Sequence, residues 1–313
     1  MIRKIIRFFN KTYDSSIFAT TALVATAGVA QADVTLSGAA NFGVVNDGSA
    51  GAETQAYNNA SVTATMSGTT DNGLTFGTNL TVRVGDDVDL DAGDLGDNAT
   101  IAALSATDFG NIFVSGAFGT LTFDRDGIDN VHNDDFGNHD VSYNYSTGGW
   151  TVDLTADIDN DGAAYADGQE WAVAVSYTMD PLTVRVATDD SGEADATLTY
   201  VLNEMLTVSL NHDTDGQTVN GAADAENTLK VSYDAGNGFT GSLSLIDDDD
   251  DAWAASLGYT MGALTLGATL GEDGADDDVE VDVSASYDLG GGMKINAAAN
   301  ETGAFFLGAA MSF

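Results

Sequence analysis

Alternation of apolar and polar residues is the property of this sequence that most restricts its fold. After the first 32 residues, segments of about 9 to 11 residues carry an apolar side chain at every second position. In one segment, Leu80, Val82 and Val84 alternate with Thr81 and Arg83. Successive side chains of a strand point to opposite faces, so the pattern predicts strands with one apolar face. No segment has the spacing of a helix, and we expect an all-β protein.

The connections between these segments are of two kinds. One set consists of tight turns, such as 180–181 and 289–291, and the other consists of longer, mostly acidic loops, such as 85–98 and 213–225. Short turns at one end and long loops at the other are typical of a transmembrane, antiparallel, up-and-down β-barrel. Counting the segments gives eighteen strands when residues 99–116 are taken as one interrupted strand.

The N-terminal residues predict export. Arg3, Lys4 and Arg7 precede an apolar stretch, and the tripeptide 30–32, Ala-Gln-Ala, has the small-x-small pattern of a secretory cleavage site. The apolar stretch is shorter than the roughly 20 residues that a spanning helix needs. We therefore expect a signal peptide over residues 1–32 and a transmembrane β-barrel domain over residues 33–313.

Acidic residues dominate the charge of the chain. It has 9 basic and 49 acidic residues, for a net charge of -40. Removal of residues 1–32 takes away four basic residues and one acidic residue, which leaves 5 against 48 and a net charge of -43. Nucleic acid and anionic head groups are poor partners for such a surface. An acidic surface selected by a saline habitat explains the total equally well, so the placement of the charges is more informative.

One acidic stretch, residues 124–139, differs from the rest. The alternation stops there, and a hairpin formed by residues 112–123 leads into it. A loop of this length in a chain of short turns is usually functional. Its charged residues and histidines are Asp124, Arg125, Asp126, Asp129, His132, Asp134, Asp135 and His139.

The few basic residues of the barrel domain have a common orientation. Four of them replace a polar residue in the alternation and are predicted to face inward, while Arg125 lies outside a strand. A charge facing lipid costs about 2–4 kcal/mol at the bilayer midplane, and this cost alone explains the direction. The four are Arg83, Arg185, Lys230 and Lys294.

Five stretches in order along the chain are informative together: DVTLSGAANFGV (33–44), ATMSGTTDNGLTFG (64–77), IFVSGAFGTLTF (112–123), SYDLGGGMKI (286–295) and LGAAMSF (307–313). In sequence and in order they resemble the general diffusion porins of the outer membrane, and specifically their alphaproteobacterial branch. The resemblance implies a homotrimer of 16-stranded barrels in the outer-membrane lipid, each a channel for small hydrophilic solutes. It also implies a third loop folded into the lumen as a constriction, and a terminal Phe313 that the outer-membrane assembly machinery reads.

Charge placement then suggests how such a constriction is built. We expect the carboxylates of Asp126, Asp129, Asp134 and Asp135 to face a basic wall. That wall would consist of Arg83, Arg125, Arg185, Lys230 and Lys294. Inward acids outnumber these cations, so we predict a preference for cations. The inward acids are Asp153, Asp157, Glu170, Glu280 and Asp282.

Other motifs are weaker. Asp157, Asp159 and Asp161 open like a Ca²⁺-binding loop, but Gly168 stands where a bidentate Glu should follow, and a solvated loop explains them as well. The chain has no cysteine, no nucleophile motif and no phosphate-binding loop, so we expect no enzyme and no cofactor, with Ca²⁺ left as an option. Two alternatives to a diffusion channel stay open. One is an outer-membrane barrel with a plugged lumen that acts as an adhesin or structural protein, and the other is a secreted, acidic, Ca²⁺-binding β protein.

Overall fold

The computed structural model describes most of the barrel domain. The described residues are 32–88, 102–132, 137–158, 170–190, 192–214, 218–219, 222–223, 225–247, 252–272 and 279–313. They form strands and connections, and among them no helix is long and apolar enough to cross a bilayer. The predicted signal peptide, apart from Ala32, lies outside the described residues.

Within the described ranges, twenty-one strands follow one another. They are β1 (Ala32–Asp47), β2 (Gln55–Thr69), β3 (Thr75–Asp87), β4 (Ala102–Phe109), β5 (Ile112–Gly116), β6 (Gly119–Asp129), β7 (Gly137–Thr147), β8 (Trp150–Ala156), β9 (Trp171–Met179), β10 (Leu182–Asp189), β11 (Ala194–Asn203), β12 (Leu206–Asp213), β13 (Thr218–Val219), β14 (Ala222–Ala223), β15 (Glu226–Asp234), β16 (Phe239–Asp247), β17 (Trp253–Met261), β18 (Leu264–Glu272), β19 (Glu280–Gly290), β20 (Met293–Asn300) and β21 (Ala304–Ser312). β13 and β14 form a separate small hairpin within a loop.

The other nineteen strands form one closed antiparallel sheet, in which β4 and β5 share a single place. Both pair with β3, and they are separated only by Gly110 and Asn111. The barrel therefore has 18 strands. The count made from the alternation is confirmed, whereas the 16 strands implied by the resemblance are wrong. A barrel can gain a hairpin without any change in the alternation of its other strands. Resemblance to a family therefore does not reveal the number of strands.

The first and last strands close the barrel. β1 pairs with β21 from Ala39 opposite Ser312 to Asp47 opposite Ala304. The terminal Phe313 continues this ladder, because its backbone N–H donates to the Gly38 carbonyl at 2.8 Å and its carbonyl accepts from the Gly38 N–H at 3.2 Å. A closed sheet has no unpaired edge, which is the condition for strands to span a hydrocarbon layer.

The two faces of the sheet differ as the alternation predicted. Large apolar side chains are exposed on the outer face; Leu36, Val82 and Leu257, for example, are each at least 43% exposed. Tyrosines on this face lie close to the tight turns, as interfacial aromatics do in membrane barrels. These tyrosines are Tyr177, Tyr200, Tyr233, Tyr259 and Tyr287.

The acidic stretch is shorter as a loop than the sequence indicated. β6 continues to Asp129 and β7 starts at Gly137, so much of the predicted loop belongs to strands. The pairing shifts between Phe123 and Ile128, which leaves residues 124–127 as a wide bulge. A bulge bends its strand and ends regular pairing, and here it redirects the hairpin.

Candidate functional site

The inner face of the barrel is polar and carries pairs of hydroxyl groups from neighbouring strands. Thr63 and Thr81 are 2.8 Å apart between their Oγ1 atoms, and Ser242 and Ser256 are 2.7 Å apart between their Oγ atoms. A barrel of this size is too wide for side chains to fill. The lumen is therefore a water-filled passage whose wall can hydrogen-bond to solutes.

The third loop bends into this lumen beyond the bulge of β6. The Val131 N–H donates to Thr155 Oγ1 at 3.3 Å, and the Val131 carbonyl accepts a hydrogen bond from Arg185 Nη2. Thr155 on β8 and Arg185 on β10 both face inward, because their outward neighbours are the exposed residues Leu154 and Val186. The described part of the loop, residues 130–132, therefore lies against the inner wall.

A histidine and an aspartate are buried where the loop meets the wall. His132 Nδ1 lies 3.4 Å from Asp189 Oδ2, and both side chains are 0% exposed. The backbone N–H of His132 also donates to Asn130 Oδ1 at 2.8 Å, which holds the loop in a tight local turn. The two buried side chains therefore pack against each other at the place where the loop meets β10.

Small residues of the wall leave room for the loop at this place. Ala172 and Ala174 on β9 and Ala187 on β10 face inward and are each 1% exposed. They lie in register with the anchoring residues, since Ala172 stands opposite both Thr155 and Asp189. Larger side chains here would keep the loop backbone away from the wall.

Arg185 has a partner that the sequence did not suggest. Its Nη1 donates to both carboxylate oxygens of Asp195 on β11, at 3.0 and 2.6 Å. The Asp195 side chain is only 6% exposed and that of Arg185 is 33% exposed. Because Ala187 pairs with Asp195, the register of the β10–β11 hairpin places the two charges diagonally across the strands. In the sequence, only the turn between β10 and β11, which sets this register, could have indicated that Arg185 and Asp195 pair.

We call residues 130–132 together with Thr155, Arg185, Asp189 and Asp195 the loop latch. It joins residues 130–132 to β8 and β10 through two hydrogen bonds of the Val131 backbone and the contact of His132 with Asp189. Arg185, which makes one of these hydrogen bonds, is in turn paired with Asp195 on β11. Sequence reasoning had included Arg185 and noted His132, but it missed Asn130, Thr155, Asp189 and Asp195. The latch narrows the lumen on the side of β8 to β11.

The remaining predicted constriction residues are spread over the barrel. Asp134 and Asp135 lie outside the described residues, Asp126 lies in the bulged part of β6, and Asp129 is the last residue of that strand. Three of the predicted basic residues lie on the inner face of strands that are far apart in the barrel. These are Arg83 on β3, Lys230 on β15 and Lys294 on β20. Arg125 lies in the β6 bulge. A transverse field between loop carboxylates and this basic wall stays a prediction.

The suggested calcium loop is described only at its start. Asp157 follows β8, where its N–H donates to the Glu170 carbonyl at 3.1 Å, whereas Asp159 and Asp161 lie outside the described residues. Within the described ranges, no group of three or more His, Cys, Asp or Glu side chains is placed to hold a metal ion. Calcium binding by these aspartates stays a prediction.

The wall opposite the latch, around the closure of the barrel, has a different character. Val45, Tyr57 and Phe306 form an apolar cluster on its inner face with Ala298 and Ala304, and Val88 packs against this cluster. Tyr57 is 3% and Phe306 is 7% exposed. This cluster contradicts the simple rule that inward residues are polar. The alternation gives no sign of Tyr57, which is an aromatic residue at an inward position.

Known proteins match this chain in sequence and in fold. A family model described as Gram-negative porin matches residues 19–304. A porin of Rhodobacter capsulatus is 26% identical over 300 residues, which cover 84% of this chain and 92% of that protein. Among solved structures, a triple mutant of the Rhodopseudomonas blastica porin has a TM-score of 0.54 at 18% identity and covers 90% of this chain and 100% of its own. A second mutant of the same porin has a TM-score of 0.53 at 17% identity with the same coverage.

Proposed function

The chain belongs to the Gram-negative porin family, and from this premise we propose that it forms a cation-preferring channel for passive diffusion of small hydrophilic solutes across the outer membrane. The observation that carries the proposal is the closed barrel with a polar, hydroxyl-lined inner face and a loop folded into the lumen. A wide barrel of this kind holds water, and its lining charge and its narrowest section decide what passes.

Cation preference rests on the balance of charge along the inner face. One of the four inward cations, Arg185, is paired with Asp195, so its positive charge is largely neutralised. Inward carboxylates remain on several described strands, and a lumen with excess negative charge concentrates cations and repels anions. They include Asp108, Asp153, Glu280 and Asp282.

The test is the reversal potential of the refolded barrel domain, residues 33–313, in a planar bilayer under a KCl gradient. We expect stepwise conductance and a reversal potential close to the potassium equilibrium potential. Asp282→Asn should move the reversal potential toward zero. Asp234→Asn, which neutralises an acid beside a tight turn, is the control, and it should move the reversal potential less. Preference for chloride would contradict the proposed selectivity, and insertion without conductance would favour an adhesin or structural barrel.

We also propose that the protein is a homotrimer and that the outer-membrane assembly machinery recognises its C-terminal strand. Membership of the family and the resemblance support the trimer, and the position of Phe313 supports the role of the last strand. Its backbone completes the pairing with β1, while the residue as a whole is 78% exposed and accessible to a receptor. Conductance steps in groups of three, and loss of insertion on deletion of Phe313, are the expected results.

A further inference from the structure

A cavity of about 320 Å³ lies in the wall opposite the loop latch, where β19, β20, β21, β1 and β2 adjoin. Its size is at the lower end of the range of about 300–1,000 Å³ that small-molecule sites occupy. It opens on the lumen, because the polar residues that line it, including Asn41, Ser286 and Asn296, belong to the inward faces of their strands. A solute that crosses the barrel passes its mouth.

Two paired glycines admit an aromatic ring at the edge of this cavity. Gly43 on β1 stands opposite Gly308 on β21, and because neither has a side chain, the Tyr57 ring packs directly on the backbone there. The Tyr57 ring reaches across them, so that its hydroxyl lies 2.9 Å from the position a Cβ of Gly43 would take and closer still to that of Gly308. The apolar cluster behind Tyr57 holds this ring in place on the loop side of the cavity.

The polar groups of the cavity are neutral and complementary to hydroxyl groups. Ser286 Oγ donates to Asn296 Oδ1 at 2.8 Å, which leaves the amide N–H groups of Asn296 as donors. Asn41 Nδ2 donates to Asn59 Oδ1 at 2.9 Å, which leaves the Asn41 carbonyl oxygen as an acceptor. A hydroxyl group both donates and accepts, so it matches this mixed set, whereas a bare cation or anion matches only one half of it.

The described residues that line the cavity carry no charge. The residues around the cavity are Asn, Ser, Thr, Ala and Gly together with Tyr57 and Phe306, without a carboxylate, ammonium or guanidinium group. In a channel whose other surfaces are rich in carboxylates, this neutral wall gives no electrostatic advantage to an ion. It offers hydrogen bonds together with the apolar edges of two aromatic rings, a combination that fits molecules with C–H and O–H groups on one ring.

We propose that this cavity is a transient binding site for a neutral, polyhydroxylated solute of monosaccharide size. The proposal rests on the proposed function, since it supposes an open channel. Binding here would hold a sugar or cyclic polyol at the wall opposite the loop latch and make its passage saturable, while ions would pass without this delay.

The experiment is single-channel recording of the refolded barrel domain in KCl with D-glucose added on one side. We expect brief, glucose-dependent current interruptions whose frequency saturates, and no such interruptions with gluconate at the same concentration. Asn296→Ala should raise the glucose concentration that gives half the maximal frequency by about tenfold, because it removes the amide donors. Ser286→Ala, which frees the orientation of that amide, should act in the same direction and serves if Asn296→Ala does not refold.

The matched control is Asn211→Ala. Asn211 is an inward asparagine on β12, away from the cavity, with a 3.2 Å hydrogen bond from its Nδ2 to Thr197 Oγ1. Its glucose response should equal that of the wild type. The proposal is overturned if glucose lowers the wild-type current only as much as it lowers the conductivity of the bulk solution, or if Asn211→Ala weakens the response equally. A barrel that inserts without conducting overturns the proposed function itself, and with it this site.

Discussion

The two opposite walls of the lumen use the same inward positions in different ways. Around β8 to β11, alanines leave room for a segment of the chain. Arg185, itself paired with Asp195, holds this segment by the Val131 carbonyl, and His132 packs against Asp189. Around the closure of the barrel, Tyr57 packs on paired glycines beside a neutral hollow instead. Small wall residues therefore do not decide by themselves whether a loop occupies the wall, and the polar partners placed beside them matter as well.

The strongest way to break this contrast is to push Tyr57 away from the wall with Gly308→Ala. The added Cβ would lie 2.7 Å from the Phe42 carbonyl oxygen and even closer to the Tyr57 hydroxyl. We expect the free energy of unfolding to fall by about 3 kcal/mol, because overpacking forces the neighbouring strand to move. Urea unfolding in detergent micelles, followed by the heat-modifiable gel shift, measures the loss.

The matched control for this change is Gly38→Ala on β1. A Cβ at Gly38 would have its nearest neighbours at 3.5 Å, an ordinary contact distance. Its stability should therefore be close to that of the wild type. Tyr57→Phe should restore part of the stability of Gly308→Ala, because it removes the hydroxyl that the new Cβ meets. Equal unfolding midpoints for the two alanine variants would contradict the close packing of Tyr57 on Gly308.

Removal of the Arg185 guanidinium group tests the contacts of the wall formed by β8 to β11. Arg185→Ala leaves the buried Asp195 without its charged partner and deprives the third loop of the donor to the Val131 carbonyl. We expect a loss of about 2 kcal/mol in stability, since hydrogen bonds to charged groups are worth more than neutral ones. Single-channel recordings should also show increased fluctuation of the open current as the loop leaves the wall.

A double variant separates these two effects. Arg185→Ala combined with Asp195→Ala removes the stranded charge, so most of the stability should return. The current should stay noisy, because the contact to the loop is still missing. A double variant with a quiet current would show that Arg185 supports the wall and not the loop.

The smallest expected effect comes from the loss of one hydrogen bond between the third loop and β8. Thr155→Val keeps the volume of the side chain but removes the acceptor for the Val131 N–H. We expect a loss of about 1 kcal/mol and a slight increase in current noise. Thr151→Val on the same face of β8 is the control, because Thr151 bonds Ser146 at 3.0 Å and not the loop. Equal noise in both variants would argue against the latch.

The sequence predicted the strands well because lipid and water act on every residue of a spanning strand. The alternation of Leu80, Val82 and Val84 with Thr81 and Arg83 correctly predicted a strand there, and the closed barrel followed from such segments and their connections. The pattern failed at residues 124–129, which are part of β6. This part bends away from the lipid with its hairpin, so neither face is required to be apolar and alternation disappears.

The sequence predicted which side chains of the candidate site face inward, but it did not predict their interaction partners. Alternation correctly turned Arg185 inward, but its pairing with Asp195 depends on the register between two strands, which one-dimensional spacing does not contain. The burial of His132 depends on where a loop comes to rest, and Tyr57 is buried because two glycines far apart in the sequence meet below it. Such features arise from contacts between distant parts of the chain.

The seam between β1 and β21 has a consequence for the order of folding. It joins residues 38–47 to residues 304–313, so the two partners are the first and last parts of the barrel to be synthesised. Every other neighbouring pair in the barrel can form as the chain emerges, but this ladder must wait for Phe313. Closing so long a loop is entropically costly and slow. Until it closes, both terminal strands expose open edges, and an assembly factor that holds the last strand would protect the chain from aggregation during that interval.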